Sequence, residues 1–598
     1  MELNDILKIG EVCEVSGRII KAGIYANKNT EYLNFDGAIV KNISIGSYVL
    51  IRKGFSNIIG KVEGEYMKEE FSETPLQNKK TINRLVGIGI LGAIENNRFV
   101  HGVTNLPMIG NYVYVVTEDV ISSIFSKNAE DKITLGTLIG YEEYPFEINV
   151  QDLLCSHIGI FGNTGSGKSN TLAKLYREVV EKYKKKRKFN SNAKFVVIDF
   201  NGEYSRVFDN ANVYRLSTRT RKNASENKYP ILTDDVIDGE FWSIILEATD
   251  KTQKPFIDRC IRKFKRLLDG TDTYDRESLC GIIYNSNDKI VDCRSYLKEI
   301  FYLLGLSDKF PAIEERLMYN YKYRTMYLKG EDRDKYSPSK DEIYRLAFGE
   351  EDNSTFNIAR LDMFEKFKLV LYWNYCEEIG KAFITKEHIG PLMARSNNKI
   401  DSLSQIFVVN NTKPQTGKNV DIISLVGLRV DMRKIVPLII CKKLYTDKKE
   451  AKQKSLESSL HIIVDEAHNI LSNTSIRESE EWKDYRLECF EEIIKEGRKF
   501  GTFLTISSQR PSDISDTIIS QLHNYFIHRL VNEEDLRKIY RTIAFSDKST
   551  NEMIPILPAG GCVFAGLASN FPVLARISIL PENNQPQSEN VDIKKIWY

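Results

Sequence analysis

The sequence predicts an α/β protein in which a parallel β-sheet lies between two layers of helices, a small β-barrel precedes the sheet, and a helical insertion interrupts it. Three observations lead to this fold class. Short apolar runs alternate with helical stretches after His157 and again after Val420, which is typical of a parallel sheet covered on both faces. Before residue 145, short alternating runs are broken by glycine and asparagine, as in small barrels. In the middle of the chain, charged and aromatic residues recur at helical spacing.

These patterns divide the 598 residues into four regions. We expect the barrel at residues 1–145, the α/β core at 146–217 and 419–580, the helical insertion at 218–418, and a C-terminal tail at 581–598. The last strand expected in the barrel comprises residues 133–139. Several domains fit a chain that is too long for a single hydrophobic core.

The composition is that of a globular protein with little overall charge. The chain has 84 Lys and Arg side chains against 82 Asp and Glu, so contact with nucleic acid would need a local basic surface. Nowhere do about 18 apolar residues run together, as a membrane-spanning helix requires. Nine cysteines without a close pair favour reduced thiols. We therefore expect a cytoplasmic protein with no membrane partner.

A glycine-rich motif at residues 162–169 is the strongest chemical signal. It matches G-x-x-x-x-G-K-[ST] between an apolar run and a helical pattern, the setting of a phosphate-binding P-loop. The backbone N–H groups would wrap around phosphates, Lys168 would bond the β- and γ-phosphates, and Ser169 would offer a hydroxyl to magnesium. A glycine-rich turn without a ligand is the plainer alternative. The predicted nucleotide-binding residues are Gly162, Asn163, Thr164, Gly165, Ser166, Gly167, Lys168, Ser169 and Asn170.

Two adjacent acids follow a second apolar run, at residues 462–464. Asp465 would hold Mg²⁺, and Glu466 would polarise the water that attacks the γ-phosphate. A strand followed by a solvated acidic turn would carry the same residues. Together with the P-loop, the pair predicts ATP hydrolysis on a RecA-like P-loop core, with ATP and Mg²⁺ as ligands.

Two further strand ends carry candidate site residues. Asp199 and Glu203 follow the strand at residues 194–200, and ligands of open parallel sheets gather at the carboxyl ends of strands. Glu203 would share the activation of water, unless it is a solvated residue of a turn at Gly202. Gln509 follows another strand and would sense the γ-phosphate or orient the water; capping a loop is its structural alternative.

Arg498 lies at the end of a predicted helix. An arginine in such a place can reach the γ-phosphate of a neighbouring subunit as a finger. A basic helix terminus capped by Gly501 explains the same residues equally well. The residues alone do not separate these interpretations.

The order of these motifs resembles that of HerA-type ATPases, within the larger HerA/FtsK group of DNA-pumping motors. The shared segments are GNTGSGKS, DFNGEY, IIVDEAHN, EGRKFG, SSQRPSD and PAGGCVFAG, and the N-terminal region is similar to the small barrel of that family. In its common form the second segment has His where this chain has Asn201. This chain therefore has an amide in place of an imidazole at this position.

The resemblance implies a homohexameric ring that moves double-stranded DNA through its pore and works with an effector. Lys168 and Ser169 would bind nucleotide and magnesium, Asp465 and Glu466 would form the Walker B pair, Gln509 would be the sensor, and Arg498 a finger acting in trans. Similar proteins occur in bacterial antiphage operons beside nuclease, sirtuin-like or other effectors, which would dock on the barrel.

Two functions follow from these predictions. The first is an ATP-driven translocase or helicase on double-stranded DNA, with a role in antiphage defence alongside its effector. The second is an ATPase assembly platform that organises and regulates an effector with little movement along DNA. A metabolic P-loop kinase is a weaker third interpretation, because the chain is long and Glu466 suits activation of water.

Overall fold

The computed structural model describes residues 5–35, 37–74, 77–95, 98–125, 131–219, 227–330, 334–350, 354–412, 417–452, 457–474, 480–542, 548–588 and 596–597. Of the predicted C-terminal tail, residues 589–595 and 598 lie outside this description.

A closed barrel forms the N-terminal region. Its strands and neighbouring elements are β1 Lys8–Ser16, β2 Ile19–Ile24, β3 Tyr32–Phe35, β4 Ala38–Lys41, β5 Tyr48–Lys53, β6 Ser56–Thr74, β7 Gln77–Glu95, β8 Arg98–His101, β9 Tyr112–Val115 and helix α1 Glu118–Phe125. Six strands follow one another in the order β2-β1-β9-β5-β6-β7, and β7 pairs back to β2. Closure leaves no free edge within this ring.

The first half of the core follows the barrel. It contains β10 Lys132–Leu138, β11 Tyr141–Asn149, α2 Val150–Leu154, β12 Ile158–Phe161, α3 Lys168–Tyr183, α4 Arg187–Asn192, β13 Ala193–Asp199 and β14 Ala211–Ser217. The strand expected at residues 133–139 forms, but its assignment to the barrel is wrong. As β10 it pairs with strands of the central sheet, since an alternating pattern predicts a strand and does not say which sheet it joins.

The inserted segment is mostly helical. Its elements are β15 Tyr229–Leu232, α5 Thr233–Val236, α6 Gly239–Ile245, α7 Gln253–Leu268, α8 Arg276–Ser286, α9 Ile290–Leu304, α10 Phe310–Arg316, β16 Leu317–Asn320, β17 Thr325–Leu328, β18 Lys335–Tyr336, α11 Lys340–Phe348, α12 Met363–Gly380, α13 Lys386–Ile406 and β19 Phe407–Asn410. A small antiparallel sheet, β16-β17-β18, lies among the helices.

The second half of the core completes the sheet. It contains β20 Val420–Gly427, α14 Met432–Lys452, β21 Ser459–Val464, α15 His468–Leu471, α16 Glu480–Glu496, β22 Thr502–Ser508, α17 Asp516–Ser520, β23 Asn524–His528, α18 Glu533–Thr542, α19 Lys548–Met553, β24 Gly561–Gly566 and β25 Val573–Ile577.

The central sheet has eleven strands in the order β11-β10-β25-β24-β23-β12-β22-β21-β13-β20-β14. The run from β23 to β14 is parallel, and the remaining strands extend it with antiparallel pairings. Alternate residues of β13 enter different cores: Val196 packs with the insertion and α14, whereas Val197 packs with α3 and the barrel. The predicted α/β fold with an N-terminal barrel and a helical insertion is thereby confirmed.

Strand order decides which loops meet. The strand that leads into the P-loop, β12, pairs with β22, and β22 pairs with β21, which leads into the paired acids. All three run in the same direction, so the loops that follow them converge at one edge of the sheet. Within the described residues, no helix has both the length and the apolar composition to cross a membrane.

Candidate nucleotide site

The P-loop wraps closely between β12 and α3. Gly167, the residue before α3, has φ +112°, a conformation that side chains with a Cβ rarely adopt. A Cβ on Gly167 would also lie 3.0 Å from Cα of Gly560. The N–H of Gly560 donates to the carbonyl of Ser166 at 3.0 Å. The P-loop therefore packs against the turn before β24. This contact places Gly560 and Gly561 of the PAGG segment next to the loop.

Lys168 and the acids share one site, although nearly three hundred residues of sequence separate them. The Lys168 side chain is buried, and its Nζ donates to the carbonyl of Asn163 at 3.1 Å. Burial lowers the pKa of Lys168, while the charges of Glu466, Asp465 and Glu203 act to raise it. A triphosphate entering the loop would supply the negative charge that favours this ammonium.

Asp465 is almost fully buried at the end of β21. Burial raises its pKa to about 7, the charges of Glu466 and Glu203 add to the rise, and the Ser507 hydroxyl opposes it. A buried carboxyl beside other acids favours a cation or a proton in its surroundings. These surroundings suit a cation, and the role of Asp465 as a metal ligand stays a prediction.

Glu466 adopts a strained backbone conformation, with φ +45°. Positive φ costs energy for a residue with a side chain and concentrates at functional sites. Burial raises the pKa of Glu466, and Lys168 opposes the rise. A carboxylate whose pKa is raised is a better proton acceptor, as activation of water requires.

Gln509 bridges the P-loop and the acids. Oε1 of Gln509 accepts a hydrogen bond from the Thr164 hydroxyl at 2.7 Å, and Nε2 lies 3.5 Å from Oε1 of Glu466. An amide held from both sides can report whether the space between the loop and the acid is filled. The geometry therefore fits the predicted sensor better than a simple loop cap.

The loop after β13 brings Glu203 to the same place. Asp199 accepts three backbone N–H groups, from Gly202 at 2.7 Å, Glu203 at 3.0 Å and Tyr204 at 3.1 Å. The expectation that Asp199 lies near the nucleotide therefore needs refinement, because its carboxylate is occupied in folding this turn. Asn201 donates to Oε1 of Glu203 at 3.2 Å, while Oε2 is buried without a partner.

Comparison with known proteins finds similarity to HerA helicases. Residues 133–366 match the family described as "Helicase HerA, central domain". The chain is 24% identical over 480 residues to the DNA double-strand break repair helicase HerA of Sulfurisphaera tokodaii, covering 79% of this chain and 73% of that protein. It is 23% identical over 517 residues to the protein of the same name from Pyrococcus furiosus, covering 85% and 79%. This chain is an ATPase that resembles the HerA helicases.

Solved structures resemble this chain more distantly. The unbound conjugative coupling protein TrwB is 12% identical, covering 79% of this chain and 94% of its own, with a TM-score of 0.40. VirB4 of Thermoanaerobacter pseudethanolicus is 13% identical, covering 76% and 98%, with a TM-score of 0.38.

Arg498 does not join the nucleotide site of its own subunit. It lies in the 3-10 turn Gly497–Phe500 before β22, whereas Gln509 follows the same strand. Seven residues of β-strand span roughly 20 Å, so these two side chains lie at opposite edges of the sheet. Nη1 of Arg498 lies 3.1 Å from Nε2 of His523. Arg498 therefore has no access to the P-loop of its own chain.

Asn170, predicted to bind nucleotide, is engaged elsewhere. Its Nδ2 donates to the carbonyl of Ser578 at 3.1 Å, and its Oδ1 accepts from the N–H of Leu580 at 3.3 Å. The side chain ties the start of α3 to the segment after β25.

Sequence reasoning missed several side chains of the site. Tyr204 is fully buried, and burial together with the charges of Asp465 and Glu203 holds its pKa well above the usual range, while the Ser169 hydroxyl opposes the rise. His468 has Nδ1 3.3 Å from Oε2 of Glu466. Both lie within the quoted motifs, where a polar side chain close to a candidate catalytic acid was the available signal.

Sequence reasoning also missed His528, which contacts both the start of β24 and helix α3 beside the P-loop. Its Nδ1 lies 2.9 Å from the carbonyl of Gly561, and its Nε2 lies 2.8 Å from Oγ1 of Thr171. A carbonyl can only accept, so Nδ1 carries the proton and Nε2 accepts from Thr171. Burial lowers the pKa of His528 to about 4, which keeps this neutral tautomer at physiological pH. The signal in the sequence was a lone histidine at the end of an apolar strand.

The residues fit a magnesium ion that shares its ligands with phosphate. Asp465 supplies a buried carboxylate, and two buried oxygens beside it, the Tyr204 hydroxyl and Oε2 of Glu203, lack hydrogen-bond partners. Mg²⁺ prefers oxygen ligands and often binds through one or two carboxylates together with substrate phosphates. Within the described residues, no group of three or more His, Cys, Asp or Glu forms a self-sufficient metal site. Ser169 and Asp465 would hold the ion, which would neutralise charge on the phosphates.

Proposed function

We propose that this HerA-type ATPase is a homohexameric motor that uses ATP hydrolysis to move along or unwind double-stranded DNA. One observation carries the proposal: Lys168, Glu466 and Gln509 gather at one edge of the sheet, whereas Arg498 stands at the other. An arginine that cannot reach its own site is suited to the site of an adjacent subunit in a ring. The relatives named as DNA double-strand break repair helicases support DNA as the substrate of the movement.

The hydrolytic step follows from the positions of the side chains. Lys168 binds the β- and γ-phosphates, and Ser169 and Asp465 hold Mg²⁺. Glu466 accepts a proton from a water that Gln509 orients, and the water oxygen bonds to the γ-phosphorus as the bond to the β,γ-bridging oxygen breaks. ADP and inorganic phosphate leave. Arg498 from the next subunit stabilises the negative charge of the transition state.

The first test measures ATP turnover with and without linear duplex DNA, for the native chain and for Glu466→Gln, together with the mass of the particle. We expect duplex DNA to stimulate the native hexamer and Glu466→Gln to bind ATP without turning it over. DNA-insensitive turnover by a monomer would remove the motor from consideration.

The second test addresses Arg498. The variant Arg498→Ala should lose turnover while keeping ATP binding, and mixing with Lys168→Ala subunits should restore part of it, because those subunits still donate an arginine. Absence of rescue in verified mixed rings would rule out a finger in trans. Lys499→Ala is the matched control, since Lys499 is the exposed neighbour of Arg498 in the same turn.

A second candidate function, an ATPase platform that organises an effector, is favoured by the surface of the barrel. Phe55 is fully exposed in the turn between β5 and β6, and Met108 and Ile109 are 62% and 71% exposed in a nearby loop. Nζ of Lys53 donates to the carbonyl of Leu106 at 2.7 Å, which joins the two segments. Clustered exposed apolar side chains mark interaction sites. We propose this patch as the docking surface for a nuclease, a sirtuin-like protein or another effector in antiphage defence.

The two functions are separated by the variant Phe55→Ser with Met108→Ser. On a platform, the double variant should release the effector and abolish its activity while ATP turnover persists. Directed movement of the native ring along duplex DNA, followed by displacement of a bound block, would favour the motor over the platform. Retention of the effector by the double variant would reject this docking surface.

A further inference from the structure

A hairpin in the insertion presents tyrosines and cations to solvent. Strands β16 and β17 are joined by residues 321–324, in which two tyrosines alternate with Lys322 and Arg324. All four turn residues are exposed, and the side chains of Tyr321 and Tyr323 reach 73% and 61% exposure. Large aromatic side chains are costly to leave in water without a function.

The other face of the sheet explains why the hairpin is held firmly. Leu317 and Met326 are buried in the core of the insertion. Tyr319 lies opposite Met326 in the register, and Tyr327 lies opposite Met318, so side chains alternate between the core and the solvent. The exposed tyrosines are therefore not required to fill that core.

The outer side chains form an ordered aromatic surface. The ring of Tyr336 lies 5.3 Å from that of Tyr327 with 28° between their planes, and 5.6 Å from that of Tyr323. Oδ1 of Asn320 accepts the N–H groups of Lys322 at 2.9 Å and Tyr323 at 3.2 Å. This hydrogen-bonded turn fixes the backbone from which the tip side chains project.

Charge indicates what the surface binds. The turn has two cations and no acid, and Nζ of Lys322 lies 5.6 Å from the ring centroid of Tyr323. On β18, the cation Lys335 is already paired with Glu342, so Lys322 and Arg324 are the cations at the tip. Aromatic rings with interleaved cations suit an unpaired nucleic-acid strand, whose bases stack and whose phosphates are negative.

We propose that the hairpin of β16 and β17, with Tyr336 of β18, binds single-stranded DNA by stacking its bases on Tyr321, Tyr323 and Tyr336 while Lys322 and Arg324 contact phosphates. Bases of an intact duplex are stacked on one another and offer no free faces, so the surface discriminates against duplex DNA. The site lies in the insertion and does not include the nucleotide site. It goes beyond the proposed motor, because it gives the chain a contact with strands that are already separated.

The test uses the full-length protein without nucleotide and measures fluorescence anisotropy of a labelled oligothymidylate and of a blunt duplex. Tyr321→Leu with Tyr323→Leu should weaken binding of the single strand by about tenfold or more and change duplex binding little. Tyr321→Phe with Tyr323→Phe should retain it, since phenylalanine also stacks. Lys322→Gln with Arg324→Gln should lower the slope of log affinity against log salt concentration for the single strand. The expected decrease corresponds to the loss of about one phosphate contact or more.

The matched control removes an aromatic and a cation elsewhere on the insertion. Tyr302 is 67% exposed on α9, and Lys298 is exposed one turn earlier; Tyr302→Leu with Lys298→Gln should leave single-strand binding unchanged. Basal ATP turnover shows that each variant is folded.

Unchanged single-strand affinity in the leucine variant would overturn the proposal. Equal loss for single strand and duplex would also overturn it, in favour of a general basic surface. Loss of effector binding with intact DNA binding would assign the hairpin to a protein partner instead. Because these measurements omit ATP, they stand apart from DNA-stimulated turnover, so failure of the motor and failure of this site are distinguishable.

Discussion

The hydroxyl of Thr164 donates a 2.7 Å hydrogen bond to Oε1 of Gln509, which ties the tip of the P-loop to the end of β22. The other end of the same amide lies 3.5 Å from Glu466. One side chain thus contacts both the P-loop, which we predict to bind phosphate, and Glu466, which we propose as the acid that activates water. Its position gives the site a direct connection between nucleotide occupancy and β22, the strand that begins beside Arg498.

This connection predicts coupling between Thr164 and Gln509. Thr164→Val keeps the shape of the side chain and removes the hydroxyl that donates to Gln509. Because one hydrogen bond contributes roughly 1.4 kcal/mol, we expect kcat to fall by about tenfold. Gln509→Ala should lower kcat further. The double variant should be no worse than Gln509→Ala in a double-mutant cycle of kcat. Additive losses would show that the two residues act separately.

Asp199 predicts a structural effect with a kinetic consequence. Asp199→Ala leaves three backbone N–H groups of this turn without their acceptor, and a buried N–H group without an acceptor costs about 1–3 kcal/mol. The thermal unfolding midpoint should fall, and turnover should fall because Glu203 is displaced. Asp250→Asn is the control, since the Asp250 side chain is 82% exposed and should change neither quantity. A variant with native stability and native turnover would contradict the role assigned to Asp199.

His461 predicts acid sensitivity of the fold. Its ring stacks between Phe195 and Phe503, with centroids 4.8 Å and 5.2 Å away, and burial, with a smaller effect of Lys448, lowers its pKa to about 3. As pH falls below about 6.5, the unfolded chain takes up a proton that the folded chain does not, so the free energy of unfolding decreases. The loss is on the order of 2 kcal/mol at a pH near 5.

The variant His461→Phe should therefore lose less stability than the native chain between pH 7 and pH 5, as measured by urea unfolding at both values. His101→Phe, at an exposed histidine of β8, is the matched control and should follow the native chain. Parallel pH profiles for His461→Phe and the native chain would show that His461 does not titrate on unfolding.

Arg498 predicts a requirement for the guanidinium as well as for its charge. Lysine keeps the charge and loses the planar fork, so Arg498→Lys should lower turnover by about a hundredfold or more, given that arginine fingers contribute roughly 10³–10⁵. ATP affinity should stay near the native value because Arg498 is remote from its own P-loop. His523→Leu, which removes the partner 3.1 Å from Nη1, should cause a smaller loss. Full activity of Arg498→Lys would point to a basic turn without a catalytic role.

Local elements were predictable because their signals are local. The run before Gly162 became β12, the run before Asp465 became β21, and the run before Gln509 became β22. Strand periodicity and the residue types at the strand ends depend only on neighbours in sequence. The helical pattern after the P-loop became two helices, because α3 ends at Tyr183 and α4 starts at Arg187.

Pairing was less predictable, since it depends on residues distant in sequence. The segment of β10 has a strand pattern that suits either sheet, and only its pairing with β25, more than four hundred residues away, decides the matter. Tyr204 and His528 contribute to the site through contacts that form when distant segments pack together. The spacing of residues in the sequence does not reveal these contacts.

The sequence by itself determined the chemistry available to this protein: a phosphate loop with Lys168, two acids at a strand end, a neutral amide and an arginine. The tertiary structure alone decided that Gln509 stands between Thr164 and Glu466 and that Arg498 faces away from its own site. The physical reason is that strand order in a parallel sheet follows the packing of distant segments against shared cores. β22 consequently lies between β12 and β21. The residues next to its two ends, Arg498 and Gln509, therefore lie at opposite edges of the sheet.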